Sequence, residues 1–126
     1  MNQPIATTKS LTGQLGEQIA VDALRSAGCL IVERNWRSGR YETDIIALEN
    51  ETLLFVEVKT RSANRWSDPE DAITPSKVRS MKRSAAAYLA ATRSCRDIRF
   101  DLAAVLLRPD GTQELRYTRN IAESHW

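Results

Sequence analysis

The chain has 126 residues, of which 42% are hydrophobic and 27% charged; that composition fits a folded globular chain and excludes a disordered or low-complexity one. Its 18 basic and 16 acidic residues leave a net charge of only +2, which excludes a polycationic, histone-like mode of binding. No apolar run approaches the roughly 18 residues of a membrane span, so no membrane partner is expected.

Residues 1–10 are polar, contain Pro4 and are expected to be flexible. Residues 12–27 read as a helix whose inner stripe is Leu15, Ile19, Ala20, Ala23, Leu24 and Ala27, with Gly28 as the residue that ends it. Cys29 to Glu33 is a short apolar run that predicts a strand, and the basic stretch Arg34 to Arg40 with Gly39 predicts a loop. Thr43 to Leu48 and Thr52 to Thr60 predict two further strands around the polar turn Glu49-Asn50-Glu51. Residues 61–73 have no clear period, contain Pro69 and read as loop. Thr74-Pro75 opens a second helix, with Thr74 as cap, and Val78, Met81, Ala85, Tyr88, Leu89 and Thr92 form its inner stripe. Ile98 to Leu107 and Gln113 to Thr118 predict a final pair of strands joined at Pro109-Asp110-Gly111. The order α-β-β-β-α-β-β predicts one domain over 1–126, an α/β fold with a mixed central sheet flanked by helices.

The near-neutral total hides a pattern. Residues 1–40 carry net +2, residues 41–60 net −4, residues 61–99 net +5 and residues 100–126 net −1. An acidic island lies between basic flanks. Cys29 and Cys95 are far apart, without metal-type spacing, and read as reduced packing residues; with no leader pattern at Met1 to Ala6, a cytoplasmic location is expected. His125 is the sole histidine, which argues against histidine-based acid–base chemistry and multi-histidine zinc sites.

The third strand carries the chemistry. Leu53-Leu54-Phe55-Val56 requires a central, buried position, yet the strand continues into Glu57-Val58-Lys59. Alternation puts Glu57 and Lys59 on one face, and folding back at Asn50 sets residues 43–44 opposite 56–57. Asp44 and Glu57 then become cross-strand neighbours, with Glu42 nearby as a structural or supporting group. Two close carboxylates repel each other, and a hard divalent ion such as Mg²⁺ or Mn²⁺ relieves that repulsion. The Val58 carbonyl offers a further ligand, and Lys59 stands where it can activate water or stabilise phosphate charge. The alternative is a solvated strand face with Lys59 in a simple salt bridge.

Asp44, twelve residues and Glu57-Val58-Lys59 form a D-x(12)-E-x-K pattern that resembles the PD-(D/E)XK nuclease superfamily. Gly16-Glu17-x-x-Ala20, Arg34-Asn35-Trp36-Arg37, Glu42-x-Asp44-Ile45-Ile46-Ala47, Phe55-Val56-Glu57-Val58-Lys59-Thr60-Arg61, Lys77, Ala85-Ala86-x-Tyr88-Leu89 and Arg99-Phe100-Asp101 follow one another in order. Over roughly residues 10–120 this resembles the YraN-like family of small bacterial proteins, grouped with the restriction-endonuclease-like fold and related to archaeal Holliday junction resolvases. The resemblance implies Asp44, Glu57 and Lys59 as catalytic core, Glu17 as an extra acidic residue at a metal site, and DNA, including branched or structured DNA, as substrate. The chain departs from the family at Tyr41-Glu42-Thr43-Asp44, where the family has Gly-Glu-Ile-Asp, and at Trp66-Ser67, where it has Phe-Gly, so both glycines are lost.

Arg37, Arg40, Arg61, Lys77, Arg79 and Arg83 are the candidate nucleic-acid contacts, since arginine suits phosphate recognition. Arg34, Arg65 and Lys82 belong to the same flanks. Trp36 and Trp66 either stack on bases or pack; Arg99 and Asp101 read as a structural ion pair. A Mg²⁺- or Mn²⁺-dependent endonuclease is the leading reading. A catalytically inactive nucleic-acid-binding or scaffold protein is the alternative, and a homodimer formed through strand edges is a third.

Overall fold

Ser10 and Thr74 open the two long helices of the structure, a computed structural model that describes residues 9–66 and 73–124. Ser10 caps α1 (Leu11–Ser26) by accepting a hydrogen bond from the Gly13 amide at 3.1 Å, and Gly28 follows the helix with φ +92°. Thr74 caps α2 (Pro75–Thr92) through the Lys77 amide at 3.1 Å, and Arg93 ends it in the left-handed region. The strands are β1 (Leu30–Ser38), β2 (Tyr41–Glu49), β3 (Thr52–Ser62), β4 (Asp97–Leu107) and β5 (Gln113–Thr118), and a short α3 (Ile121–Ser124) closes the described chain. The expected order α-β-β-β-α-β-β is present; α3 was not expected.

One sheet runs β1-β2-β3-β4-β5. The first three strands form an antiparallel meander, β3 and β4 are parallel, and β5 returns antiparallel to β4. β3 is therefore central, as its apolar run demands. One sheet face buries Ala20, Val21 and Leu24 of α1 against Ile45, Ala47, Leu54 and Val56. The opposite face buries Val78, Met81, Ala85 and Tyr88 of α2 against Ile46, Leu53, Phe55 and Phe100. Trp36 joins the second layer edge-on to Tyr88, at 5.3 Å between ring centroids.

Several expectations are corrected. Arg34–Ser38 is not loop but the second half of β1, paired with Tyr41–Ile45; only Gly39 and Arg40 make the turn. β1 is an edge strand, where exposed charges are tolerated and useful. β3 also runs past the expected loop boundary to Ser62. α1 is rotated: its buried face is Gly16, Glu17, Ala20, Val21 and Leu24, while Leu15 is 45% exposed and Ala27 is exposed. The cause is Gly16, which lies so close to β3 that a Cβ there would sit 1.9 Å from Thr60 Oγ1. The helix approaches the sheet along this glycine, which has no side chain to hold the two apart, and that rotation turns Glu17 inward. In α2, Thr92 is exposed, with its hydroxyl donating to the Tyr88 carbonyl at 2.8 Å, and Ser84 takes a buried place instead. Cys29 is buried as expected, but Cys95 is exposed.

Of the segment expected to be flexible, residues 1–8 lie outside the described residues; Lys9 and Ser10 make defined contacts. Ser67, Pro69 and His125 also lie outside them. Among the described residues no helix is long and apolar enough to cross a membrane.

Candidate functional site

Regular alternation would put Thr43 and Ile45 on one face of β2. They are on opposite faces. The Thr43 hydroxyl lies 2.6 Å from that of Ser84 on α2, whereas Ile45 packs in the α1 layer. The neighbouring strand makes the same slip. Arg34 reaches Gln18 of α1, and Trp36 packs on Tyr88 of α2. Between them Asn35 adopts φ +53°, a conformation asparagine tolerates better than most residues. The paired slip at Asn35 and Asp44 ends the β2–β3 ladder at Ile45↔Val56. Asp44 takes over from the backbone there: its Oδ2 accepts the Val58 amide at 2.8 Å. In extended backbone a residue's N–H and C=O point to the same side, so the Val58 carbonyl faces the same gap.

On the α1 side Asp44 meets Glu17, and both are nearly inaccessible (6% and 3% exposed). The Lys9 ammonium joins them, donating to Asp44 Oδ1 at 2.8 Å and pairing with Glu17 Oε2. Asn35 Nδ2 donates to the other oxygen of Glu17 at 3.1 Å. Burial works against the charge on Lys9, but its bonds to Asp44 and Glu17 outweigh this and push its pKa up.

Glu57 is held differently. It faces the α2 layer and pairs with Lys77 at 3.0 Å. Burial, reinforced by the neighbouring Asp44 charge and opposed by Lys77, pushes its pKa up to about 7. Asp44 and Glu57 line one recess of about 440 Å³ with Glu42, Arg40, Tyr41, Ser76, Lys77, Arg79, Ser80 and Arg83. Arg40 donates to the Tyr41 hydroxyl at 3.3 Å, and Arg40 and Arg83 lie 5.4 and 6.0 Å from its ring centroid, which lowers the phenol's pKa.

The structure thus brings four of the six expected phosphate contacts to one recess: Arg40, Lys77, Arg79 and Arg83. Arg37 instead pairs with Glu42 at 3.5 Å, and Arg61 does not line the recess. Lys59 is half-buried two residues beyond Glu57 on the same face of β3, opposite Ala104 where Glu57 lies opposite Leu102; it has no ionic partner among the described residues. Asp44 meets Glu17 through Lys9 on the α1 side and shares the recess with Glu57, but the three do not form a single cage: among the described residues, no three His, Cys, Asp or Glu side chains converge to hold an ion by themselves. Trp36 is half-buried against the core, and Trp66 lies under Arg116 at 4.4 Å. Arg99 and Asp101 do form a buried ion pair, at 2.9 Å.

The model of the uncharacterised protein family UPF0102 matches residues 16–105. This chain belongs to the UPF0102 family. A UPF0102 protein of Bacteroides fragilis is 41% identical over 97 residues, 77% of this chain and 80% of its own length. One from Beutenbergia cavernae is 39% identical over 114 residues, 90% and 97% of the two chains, and one from Chlorobium phaeobacteroides is 46% identical over 95, 75% of each. The span matched to UPF0102 holds every candidate carboxylate and Lys59, but begins after Lys9.

Sequence reasoning missed Lys9 and Asn35. No local signal marks Lys9, which is 35 residues from its partner Asp44. Asn35 carries a signal in principle, as a left-handed former inside an otherwise extended run.

Proposed function

We propose that this UPF0102 chain is a metal-dependent nuclease with a restriction-endonuclease-like fold that hydrolyses phosphodiester bonds in DNA. One observation carries the reading: two carboxylates on adjacent strands, the buried Asp44 and the half-buried Glu57, open into a recess rimmed by Arg40, Lys77, Arg79 and Arg83. Carboxylates at the floor and guanidinium and ammonium groups at the rim suit a phosphodiester, with its charge held at the edge and its phosphorus over the acidic residues.

The donors suit Mg²⁺ or Mn²⁺. Glu17 and Asp44 already converge on one cationic group, the Lys9 ammonium, and offer hard oxygens to whatever cation replaces it. The Val58 carbonyl faces the same gap, and Mg²⁺ commonly takes only one or two protein carboxylates, completing its shell with water and phosphate. A bound ion polarises the phosphoryl oxygen and acidifies a water. Glu57, with its pKa near 7, is suited to accept a proton at its carboxylate oxygens close to neutral pH. Lys59 follows Glu57 on the same face of β3 and would supply an ammonium for the negative charge that develops on the phosphate. Asn35 and the Val58 amide hold Glu17 and Asp44 in place.

Purified protein is incubated with duplex, single-stranded and branched DNA in Mg²⁺ or Mn²⁺. Cleavage of at least one substrate is expected, with Asp44→Asn and Glu57→Gln each slowing it by about 100-fold or more. No cleavage of any substrate, or full activity in both variants, rejects the reading. A second reading, nucleic-acid binding without turnover, is favoured by the lysines that already pair with the carboxylates. It predicts salt-dependent binding that survives Asp44→Ala, with no cleavage.

A further inference from the structure

Lys9 stands apart from the other basic groups of the site. Arg40, Arg79 and Arg83 line the rim of the recess. Lys9 instead comes from the residue just before the cap of α1 and puts its ammonium between Glu17 and Asp44. Among the described residues those two carboxylates are otherwise held only by neutral donors, the Asn35 amide and the Val58 amide. Both are buried, so without a cation the pair would be left in mutual repulsion at low dielectric. One positive charge therefore belongs at this point of the fold. In the structure that charge is part of the chain.

We propose that the Lys9 ammonium is a tethered counter-ion that occupies the divalent-cation position between Glu17 and Asp44, so that an ion binds there only when Lys9 leaves. The inference rests on the nuclease reading for the identity of the ion. The two cations exclude each other because they use the same oxygens: Asp44 Oδ1 and Glu17 Oε2 both face Lys9. The Lys9 side chain is 27% exposed, so it can move into water without crossing the core. Lys9 thus offsets part of the negative charge of Glu17 and Asp44 when no ion is bound and sets a threshold concentration for the ion.

The test is Mn²⁺ binding to the full chain, measured by calorimetry and by the rise in melting temperature on adding Mn²⁺. Lys9→Met is expected to bind Mn²⁺ at least tenfold more tightly than wild type and to show the larger rise. Lys9→Arg, which keeps the charge, is expected to bind as weakly as wild type. Arg96→Met removes the same charge from an exposed pair with Glu51 and is expected to leave the affinity unchanged. Adding Asp44→Asn to Lys9→Met should abolish the gain. If Lys9→Met binds Mn²⁺ no more tightly than wild type, or if Arg96→Met gains as much, the proposal is overturned. Tighter binding by Lys9→Met without cleavage of any DNA overturns the nuclease reading and supports the role of Lys9.

Discussion

Glu57 is a carboxylate in a place where charge is poorly solvated, beside a second carboxylate and with Lys77 as its counter-charge. Its folded-state pKa near 7 lies above the ordinary 4.5. Between those values the folded chain binds more protons than the unfolded one, so this group's contribution to stability falls as pH rises through that window. Glu57→Gln removes the titration. Relative to wild type, the variant is expected to gain about 1–3 kcal/mol between pH 5 and pH 8, read from urea midpoints at both values. A gap that stays constant or shrinks with pH contradicts the assignment. Asp44 and Glu57 were legible as a pair because turn position and two-residue alternation suffice to place them. The way Asp44 is aimed was not legible, because the slip at Asn35 breaks that alternation. Lys9 was invisible because only the folded chain brings it to Asp44.

At the scale of the element, α1 shows how one glycine sets the orientation of a whole helix. A methyl group at residue 16 would lie 1.9 Å from Thr60 Oγ1 and 2.9 Å from its Cβ, so α1 or β3 must shift to admit it. Gly16→Ala improves helix propensity by about 1 kcal/mol but is expected to destabilise the protein by about 1–3 kcal/mol net through overpacking. Thr60→Ala in the same chain should recover part of the loss, measured by denaturant unfolding. A stabilised Gly16→Ala variant would show that the helix does not rest on this contact. Periodicity alone located α1 within a residue and placed Ala20 and Leu24 on its inner face, but it put Leu15 and Ala27 there and left out Gly16 and Glu17, because it counts apolar side chains and gives a glycine no weight. It also missed the second half of β1, since charges on an edge strand erase the alternation it reads. The buried strand β3 and the inner residues Val78, Met81, Ala85 and Tyr88 of α2 were legible because in them burial and composition agree.

Across the whole molecule, the sheet's far side is tied down by one fully buried acid. Asp101 on β4 accepts from Arg99 at 2.9 Å, from the Tyr117 hydroxyl of β5 at 2.6 Å and from the Asn120 amide just before α3 at 3.1 Å. Asp101→Asn leaves Arg99 without its main counter-charge, although Glu49 still accepts from it. The expected loss is about 3–5 kcal/mol, read as a fall in the denaturation midpoint. A loss under about 1 kcal/mol would mean that Glu49 alone neutralises Arg99. The pairing of β3 with β4 has a further consequence. Its register joins Thr52 to Asp97 and Phe55 to Phe100, so the two strands meet only after the intervening chain, α2 included, has folded back. The β1–β2–β3 meander closes through short turns and can form earlier. During that interval Leu53-Leu54-Phe55-Val56 is an unsatisfied, uncharged sheet edge open to a second chain. The strand that holds the candidate site together in the finished protein is therefore its most aggregation-prone surface during synthesis.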